Sequence, residues 1–370
     1  MADPVRVALT VEQCWQRVPG GSGTYVAALT EALAGRTDLD LVGLAARHAE
    51  GVEPRPAPSG PVRHSPLPRI ALYEAWNRLR RPLAESTTGA VDVVHATTWA
   101  LPGHRAPLVV TVHDLAFLRD PAHFTRRGNG YFRRALDLVR AEAAQVVVPS
   151  AMTARDCADA GIDRSRVTVV PHGVRAREVS EAERVAWRRR YGVDRPYVLW
   201  CGTLEPRKNV DRLVAAFAAA RAAGTLDADL VLVGPSGWGD AENRVADALT
   251  HVPPGSVHLL GRLSDEDLQV AYSGATCFAF PSLWEGFGMP VLEAMAHGVP
   301  VVTSAGSAMA EFAGEVGWTV DPTDVDAIAA GLVAAATSGT AGPESARVAA
   351  RYTWAAAAEG HAEVYLRAAL

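Results

Sequence analysis

Short apolar runs alternate with longer amphipathic stretches along the whole chain. Val5–Thr10, Leu39–Leu44, Val91–His95, Leu108–Val112, Gln145–Val148 and Val167–Val170 have the continuous hydrophobicity of strands buried on both faces. A second series follows at Tyr197–Cys201, Asp229–Val233, Val257–Leu260, Cys277–Phe280, Val299–Thr303 and Gly317–Val320. Between these runs, Tyr25–Ala34, Val210–Ala222 and Asp265–Tyr272 repeat apolar residues at helical spacing. Strands of this kind alternating with helices predict an α/β chain of doubly wound parallel sheets, each covered by helices on both faces.

The two series are separated by Pro171-His172-Gly173-Val174 and a polar stretch from Arg175 to Arg195. The predicted organisation is an N-terminal domain over residues 1–173, a linker over 174–195 and a C-terminal domain over 196–350. The Ala-rich end, residues 351–370, is expected to be helical and to pack back on the N-terminal domain. Ala49–Pro68, rich in proline, glycine and charge, reads as a surface loop.

Composition narrows the class. The length of 370 residues suits two domains of ordinary size. A net charge of −5 gives no global attraction to nucleic acid. Cys14, Cys157, Cys201 and Cys277 are scattered, which suits neither a zinc site nor a disulfide framework. No apolar run reaches the roughly 20 residues that span a bilayer, and no basic-plus-apolar leader opens the chain, so a cytoplasmic location is expected.

The segment from Pro281 to Ala296 carries the strongest chemical signal. It follows a predicted strand, contains Gly286 and Gly288, and starts a helix near Pro290. A helix opening there presents free N–H groups and a positive dipole end, a ready site for phosphate. Glu285 and Glu293 flank it, one placed for a sugar and one for a ribose. The plainer account is that the macrodipole alone favours a Glu early in a helix. A second observation shifts the balance. Lys208 is the single lysine among 36 Lys plus Arg, and it falls in Gly202-Thr203-Leu204-Glu205-Pro206-Arg207-Lys208-Asn209, directly after a predicted strand. A compact ammonium on a flexible stem suits a diphosphate in a tight space better than a planar guanidinium does.

Six segments in order then resemble the retaining nucleotide-sugar glycosyltransferases of family 4, group 1. They are Gly20-Gly21-Ser22-Gly23, Val112-His113-Asp114, Val148-Pro149-Ser150, Val170 to Val174, Gly202 to Asn209, and the Glu-x7-Glu segment from Glu285 to Glu293. The resemblance implies a GT-B fold, two Rossmann-like domains facing across a cleft, with acceptor bound by the first and donor by the second. It implies that Arg207 and Lys208 hold the donor diphosphate, that Glu285 contacts the hexose with the backbone N–H groups of Phe287, Gly288 and Met289, that Val291 belongs to the donor site, and that Glu293 takes the ribose hydroxyls. His113 would lie near the transferred sugar, the Gly21, Ser22, Gly23 loop over the phosphates, Gly202 and Thr203 against the donor, and Arg262 and Leu263 beside the base. One departure stands out. Many members carry arginine where this chain has Thr203, so either Arg207 supplies the second charge or the loop holds the phosphates with one charge fewer.

The implied enzyme is a metal-independent, retaining hexosyltransferase without a cofactor, using a GDP-, UDP- or TDP-sugar and a hydroxyl acceptor such as a glycan, a lipid-linked sugar or a small molecule. A mannosyltransferase of polysaccharide biosynthesis fits this description. Asp38-Leu39-Asp40 and Asp324-Val325-Asp326 stand before a strand and at a helix start, as solvated and capping charges rather than metal ligands. Two other classes stay open: an NAD-dependent Rossmann oxidoreductase, for which the G-x-G-x-x-G pattern is missing, and a non-catalytic sugar-nucleotide-binding protein. Tyr73–Arg81 has the pattern of a basic amphipathic helix for a membrane surface, although an ordinary solvated face explains it as well.

Overall fold

The computed structural model describes residues 3–121, 124–237, 240–338 and 341–370. The chain divides into two compact units, residues 1–173 with 353–370, and residues 174–352.

The first unit is built on a seven-stranded parallel sheet. Its strands are β1 (Val5–Thr10), β2 (Leu39–Arg47), β3 (Val62–Pro68), β4 (Val93–Ala96), β5 (Leu108–Thr111), β6 (Ala143–Val148) and β7 (Val167–Val169), in the order β3-β2-β1-β4-β5-β6-β7. β1 is an interior strand, with Val7 opposite both Leu41 and Val93. Its side chains Val7 and Leu9, like Val94, Val110 and Val146 in neighbouring strands, are fully buried, as expected of a parallel sheet covered on both faces. One correction concerns Ala49–Pro68, expected to be a loop. Residues Val62–Pro68 form β3, the edge strand. Pro66 and Pro68 disguise it, because a proline cannot donate to a ladder, but an edge strand tolerates that loss.

The second unit carries a six-stranded parallel sheet: β8 (Tyr197–Cys201), β9 (Asp229–Val233), β10 (Val257–Gly261), β11 (Cys277–Phe280), β12 (Val301–Ser304) and β13 (Trp318–Val320). The order is β10-β9-β8-β11-β12-β13, so the chain reverses direction across the sheet between β8 and β11. That switch point leaves a crevice outside the strands' carboxyl ends, where open α/β sheets bind ligands.

The polar stretch 174–195, expected to be a linker, is a folded part of this second unit. A capping box of Ser180 and Glu183 starts the helix Glu181–Tyr191. Trp187 anchors it, stacked on Tyr197 at 5.8 Å and almost fully buried. Charged residues on the other faces hide that one anchor from a composition-based reading.

The C-terminal helix Trp354–Ala368 packs against the helix Gly20–Leu33 and against β5 and β6 of the first unit. At the crossover Val174 N–H donates to Tyr352 O at 3.0 Å. Beside it Gly173 lies so near the next turn that a Cβ would come within 2.2 Å of the Trp354 nitrogen. Only glycine fits that approach. Among the described residues no single helix is long and apolar enough to cross a membrane.

Candidate functional site

The loops that follow β8 and β11 are neighbours because those strands pair, with Phe278 opposite Leu199. The first loop carries Gly202 to Asn209 and the second Pro281 to Gly288. They are tied together at successive points. Leu283 N–H donates to Arg207 O at 2.8 Å, and Arg207 Nη1 to Trp284 O at 3.3 Å. Asn209 Nδ2 reaches both Pro281 O at 2.9 Å and Pro322 O at 2.6 Å. Asn209 can do so because its backbone is left-handed, at φ 61°, a conformation that asparagine tolerates better than most residues. It also opens the helix Val210–Ala222.

Four charges meet between the loops. Lys208 Nζ donates to Glu285 Oε1 at 2.6 Å, while Arg207 Nη1 lies 2.9 Å from Glu285 Oε2. Arg207 Nε donates to Glu205 Oε2 at 3.0 Å. Lys208 also stands 4.8 Å from the centre of the Phe280 ring. Lys208 is 8% exposed and Glu285 7%. Burial pushes the Lys208 ammonium down from its ordinary pKa, and the adjacent Arg207 adds to that. Burial works to raise Glu285 as well, but Arg207 and Lys208 outweigh it and hold the carboxyl below its usual range. Glu205 goes the other way: burial raises it and the cations compensate only in part. The cluster is formally neutral, and an arriving diphosphate would share cations already held in place by carboxylates.

The structure thus brings Arg207, Lys208 and Glu285 together as the sequence suggests, and adds Glu205 and Asn209, to which sequence reasoning assigned no role. The signal for Glu205 was present: a carboxylate two residues before a pair of cations, on a loop that ends a strand. Glu293 stands apart from the cluster. It lies in the helix Met289–Ala296, where its Oε2 accepts from Tyr272 Oη at 2.9 Å. Burial raises its pKa.

The other expected donor contacts are spread more widely. Gly202 continues the ladder, its N–H donating to Val233 O at 2.9 Å, and Thr203 is half-buried on the same loop. Phe287 packs on Phe312 and Tyr352. Val291 is wholly buried and its N–H is bonded to Gly288 O at 3.0 Å, so it supports the loop by packing. Arg262 and Leu263 follow β10, two strands from β8 at the sheet edge. The paired aspartates are engaged in local structure: Asp38 accepts from Arg36, and Asp324 caps its helix through the amides of Asp326 and Ala327.

Gly288 sets the entry to the helix Met289–Ala296 at φ 95°, and a Cβ there would lie 2.3 Å from Met309 Cγ. Gly288→Ala is expected to cost about 1–3 kcal/mol through left-handed strain, with the Met309 side chain giving way. Thermal unfolding checks this, and an unchanged midpoint would contradict it.

His113 and Gly21 to Gly23 belong to the first unit. A correction applies to Gly20–Gly23, expected to be a loop. These residues form the first turn of the helix Gly20–Leu33. Helix propensity argues against three glycines there, but Tyr25, fully buried one turn later, pins the helix to the sheet. His113 Nε2 donates to Thr97 O at 3.0 Å, which leaves Nδ1 as an acceptor. Burial lowers its pKa and keeps the ring neutral. Its edge-on neighbour is Tyr25, at 4.9 Å.

Behind His113 runs a buried chain of hydrogen bonds whose polarity can be assigned. His361 Nδ1 faces the Ala357 carbonyl at 2.7 Å and must carry the proton. Its Nε2 then accepts from Tyr25 Oη at 2.8 Å. Tyr25 therefore accepts from Thr111, and Thr111 from His95 Nε2, each at 2.8 Å. Finally His95 Nδ1 accepts from Tyr365 Oη at 2.7 Å. Every atom in the chain is satisfied with both imidazoles neutral.

On and just after the basic helix of the first unit, Arg69–Leu79, Arg78 and Arg80 are tied down. Glu74 pairs with Arg78 and Arg127, and Arg80 reaches Glu142 and the carbonyls of Trp76, Leu101 and Pro102.

Comparison with known proteins places this architecture. Residues 19–178 match the family described as Glycosyltransferase Family 4, and residues 195–338 match Glycosyl transferases group 1. The chain is 30% identical over 297 residues to the O-antigen chain mannosyltransferase B of Escherichia coli, covering 74% of this chain and 72% of that protein. It is 31% identical over 348 residues to the D-inositol 3-phosphate glycosyltransferase of Acidothermus cellulolyticus, covering 82% and 75%. In fold it is similar to Anabaena HepE, crystallised in complex with UDP and glucose, with a TM-score of 0.73 at 18% identity over 97% of this chain and 98% of that one.

Proposed function

This chain belongs to the family 4, group 1 glycosyltransferases of GT-B fold, and on that footing we propose that it transfers a hexose from a nucleoside-diphosphate sugar to a hydroxyl acceptor, with retention at the anomeric carbon and without a metal ion. The observation that carries the proposal is the cluster of Lys208, Arg207, Glu285 and Glu205 between two loops at a sheet's switch point. A nucleoside diphosphate departs only if its developing charge is met. Lys208, Arg207 and the N-terminus of the helix Met289–Ala296 supply positive potential where water is scarce. Glu293, on the same helix, is assigned to the ribose hydroxyls.

Glu285 has both oxygens occupied by cations. That favours front-face attack, with the departing phosphate oxygen taking the acceptor's proton, over displacement by a carboxylate. His113, neutral and with Nδ1 open to a hydroxyl, is assigned to orienting the transferred sugar. Mannose is the sugar favoured by the similarity to the Escherichia coli mannosyltransferase.

A thermal-shift series tests the binding step. A cognate nucleoside diphosphate at a hundredfold its Kd is expected to add about 2.7 kcal/mol to stability, and NAD none. A panel of nucleotide sugars, followed by diphosphate release, then identifies the donor. Lack of turnover with every donor would count against the activity. His113→Ala is expected to lower kcat at least tenfold with little change in donor KM, because its hydrogen bond orients rather than anchors. An unchanged kcat would remove His113 from the site.

A further inference from the structure

Tyr272 lies in the helix Asp265–Ser273 and is wholly buried. Its ring is stacked on His297, with centroids 6.0 Å apart and planes 14° from parallel, and packs on Phe278 at 5.5 Å. That clamp is itself fixed. Burial lowers His297 to about 4, so its ring is neutral, and its Nε2 faces Gln269 Oε1 at 2.7 Å. Gln269 Oε1 also accepts from the Arg177 N–H at 3.3 Å. A buried phenol proton needs an acceptor, and Tyr272 Oη gives its proton to Glu293 Oε2 at 2.9 Å. The same phenol oxygen is hydrogen-bonded to the thiol of Cys201, the last residue of β8. Burial pushes that thiol up to about 12, so it stays protonated and serves as the donor.

The line from Cys201 through Tyr272 to Glu293 therefore runs one way and ends on one carboxylate oxygen. Glu293 is half-buried, and its Oε1 has no partner among the described residues. Burial works to raise the Glu293 pKa, and the Tyr272 hydrogen bond works against that rise. With Oε2 taken, Oε1 is the oxygen left to accept from a ligand. We infer that Tyr272 is a positioning residue: by fixing Glu293 Oε2 it turns Oε1 to the ribose of the nucleoside diphosphate and gives the site a preference for ribose over deoxyribose. The inference rests on the nucleotide-sugar function proposed above and names the group that sets its nucleotide specificity. A site built to accept from a hydroxyl rejects the ligand that lacks it, because the acceptor is then left unpaired.

Equilibrium titration of the full chain with ADP, GDP, UDP and TDP finds the nucleotide that binds best, and its 2′-deoxy and 3′-deoxy forms then give the ribose preference. In the unaltered chain at least one deoxy form is expected to bind about tenfold or more weakly. Tyr272→Phe removes one oxygen and keeps the ring in its clamp. It should cut that preference by about threefold or more, weakening the ribonucleotide more than the deoxy form. A tyrosine that merely packs would weaken both alike and leave the ratio unchanged. Glu293→Gln reads the same device with Tyr272 intact, and serves if Tyr272→Phe does not fold. The phenol holds the amide oxygen, the NH2 turns to the ligand, and the preference should fall toward one. An unheld amide would turn its oxygen to the ribose and keep the preference. A preference unchanged in either variant overturns the inference, as does a chain that binds TDP alone or binds ribo and deoxy forms equally. If none of the four nucleotides binds, the function on which the inference rests falls instead.

Discussion

Lys208→Ala is expected to lower kcat/KM about 10³-fold, as removal of a preorganised cation from a developing phosphate charge does. The substitution deletes the chain's one lysine ammonium from a buried position, 2.6 Å from Glu285 and over the Phe280 ring. Loss in the transition state should exceed loss in the ground state, so kcat falls more than donor KM rises. Folding is expected to suffer less than a broken buried ion pair would suggest. Arg207 stays 2.9 Å from Glu285, and the carboxylate keeps one cation. Lys208→Arg retains the charge but not the shape. A planar fork in a space that leaves Lys208 only 8% exposed should still cost at least tenfold in kcat/KM. Diphosphate release from the identified donor gives both numbers. An alanine variant within threefold of the parent would end the assignment of Lys208 to the leaving group.

The second large effect is loss of stability in acid. Burial lowers His361 from the usual 6.5 to about 4 and holds His95 and His172 well below 6.5. In the unfolded chain these rings take up a proton near 6.5, whereas in the folded chain they resist it. The unfolded state therefore binds more protons across this interval, and stability falls as pH falls. Their full contribution is present above about 6.5, and that of His361 is lost progressively down to about 4. For His361 alone the loss is about 3 kcal/mol across that window. Protonation of His361 also makes Nε2 a donor facing the Tyr25 hydroxyl, which reverses the hydrogen-bond chain through Thr111 to His95. Denaturant unfolding at half-unit pH steps between 7 and 4.5 measures the slope. His361→Gln should flatten it by about one proton. Stability independent of pH over that range would contradict the neutral network.

Much of the scaffold was legible. β8, β9, β11 and the helix Val210–Ala222 fall on the residues their apolar patterns mark. These elements are local: a continuous hydrophobic run bounded by polar or glycine residues has few other solutions in an α/β chain. The misses have a common cause. β3, the helix Glu181–Tyr191 and the first turn at Gly20 each look unstructured by composition. Each is held by a distant partner: β2 for the edge strand, Tyr197 for Trp187, and Thr111 with His361 for Tyr25. Where tertiary contact supplies the energy, local propensity carries little information.

The site divides in the same way. Sequence alone marked the residues proposed to bear the chemistry, since a solitary lysine after one strand and two glutamates around a glycine loop after another are patterns within single segments. Only the tertiary structure decided their electrostatic state. It paired β8 with β11, closed Arg207 and Lys208 onto Glu285 across two loops, brought in Glu205, and left Glu293 with Tyr272. It also joined four histidine-bearing segments far apart in the chain into one buried neighbourhood. Charge and protonation depend on distance and on exclusion of water, and neither is a property of residue order.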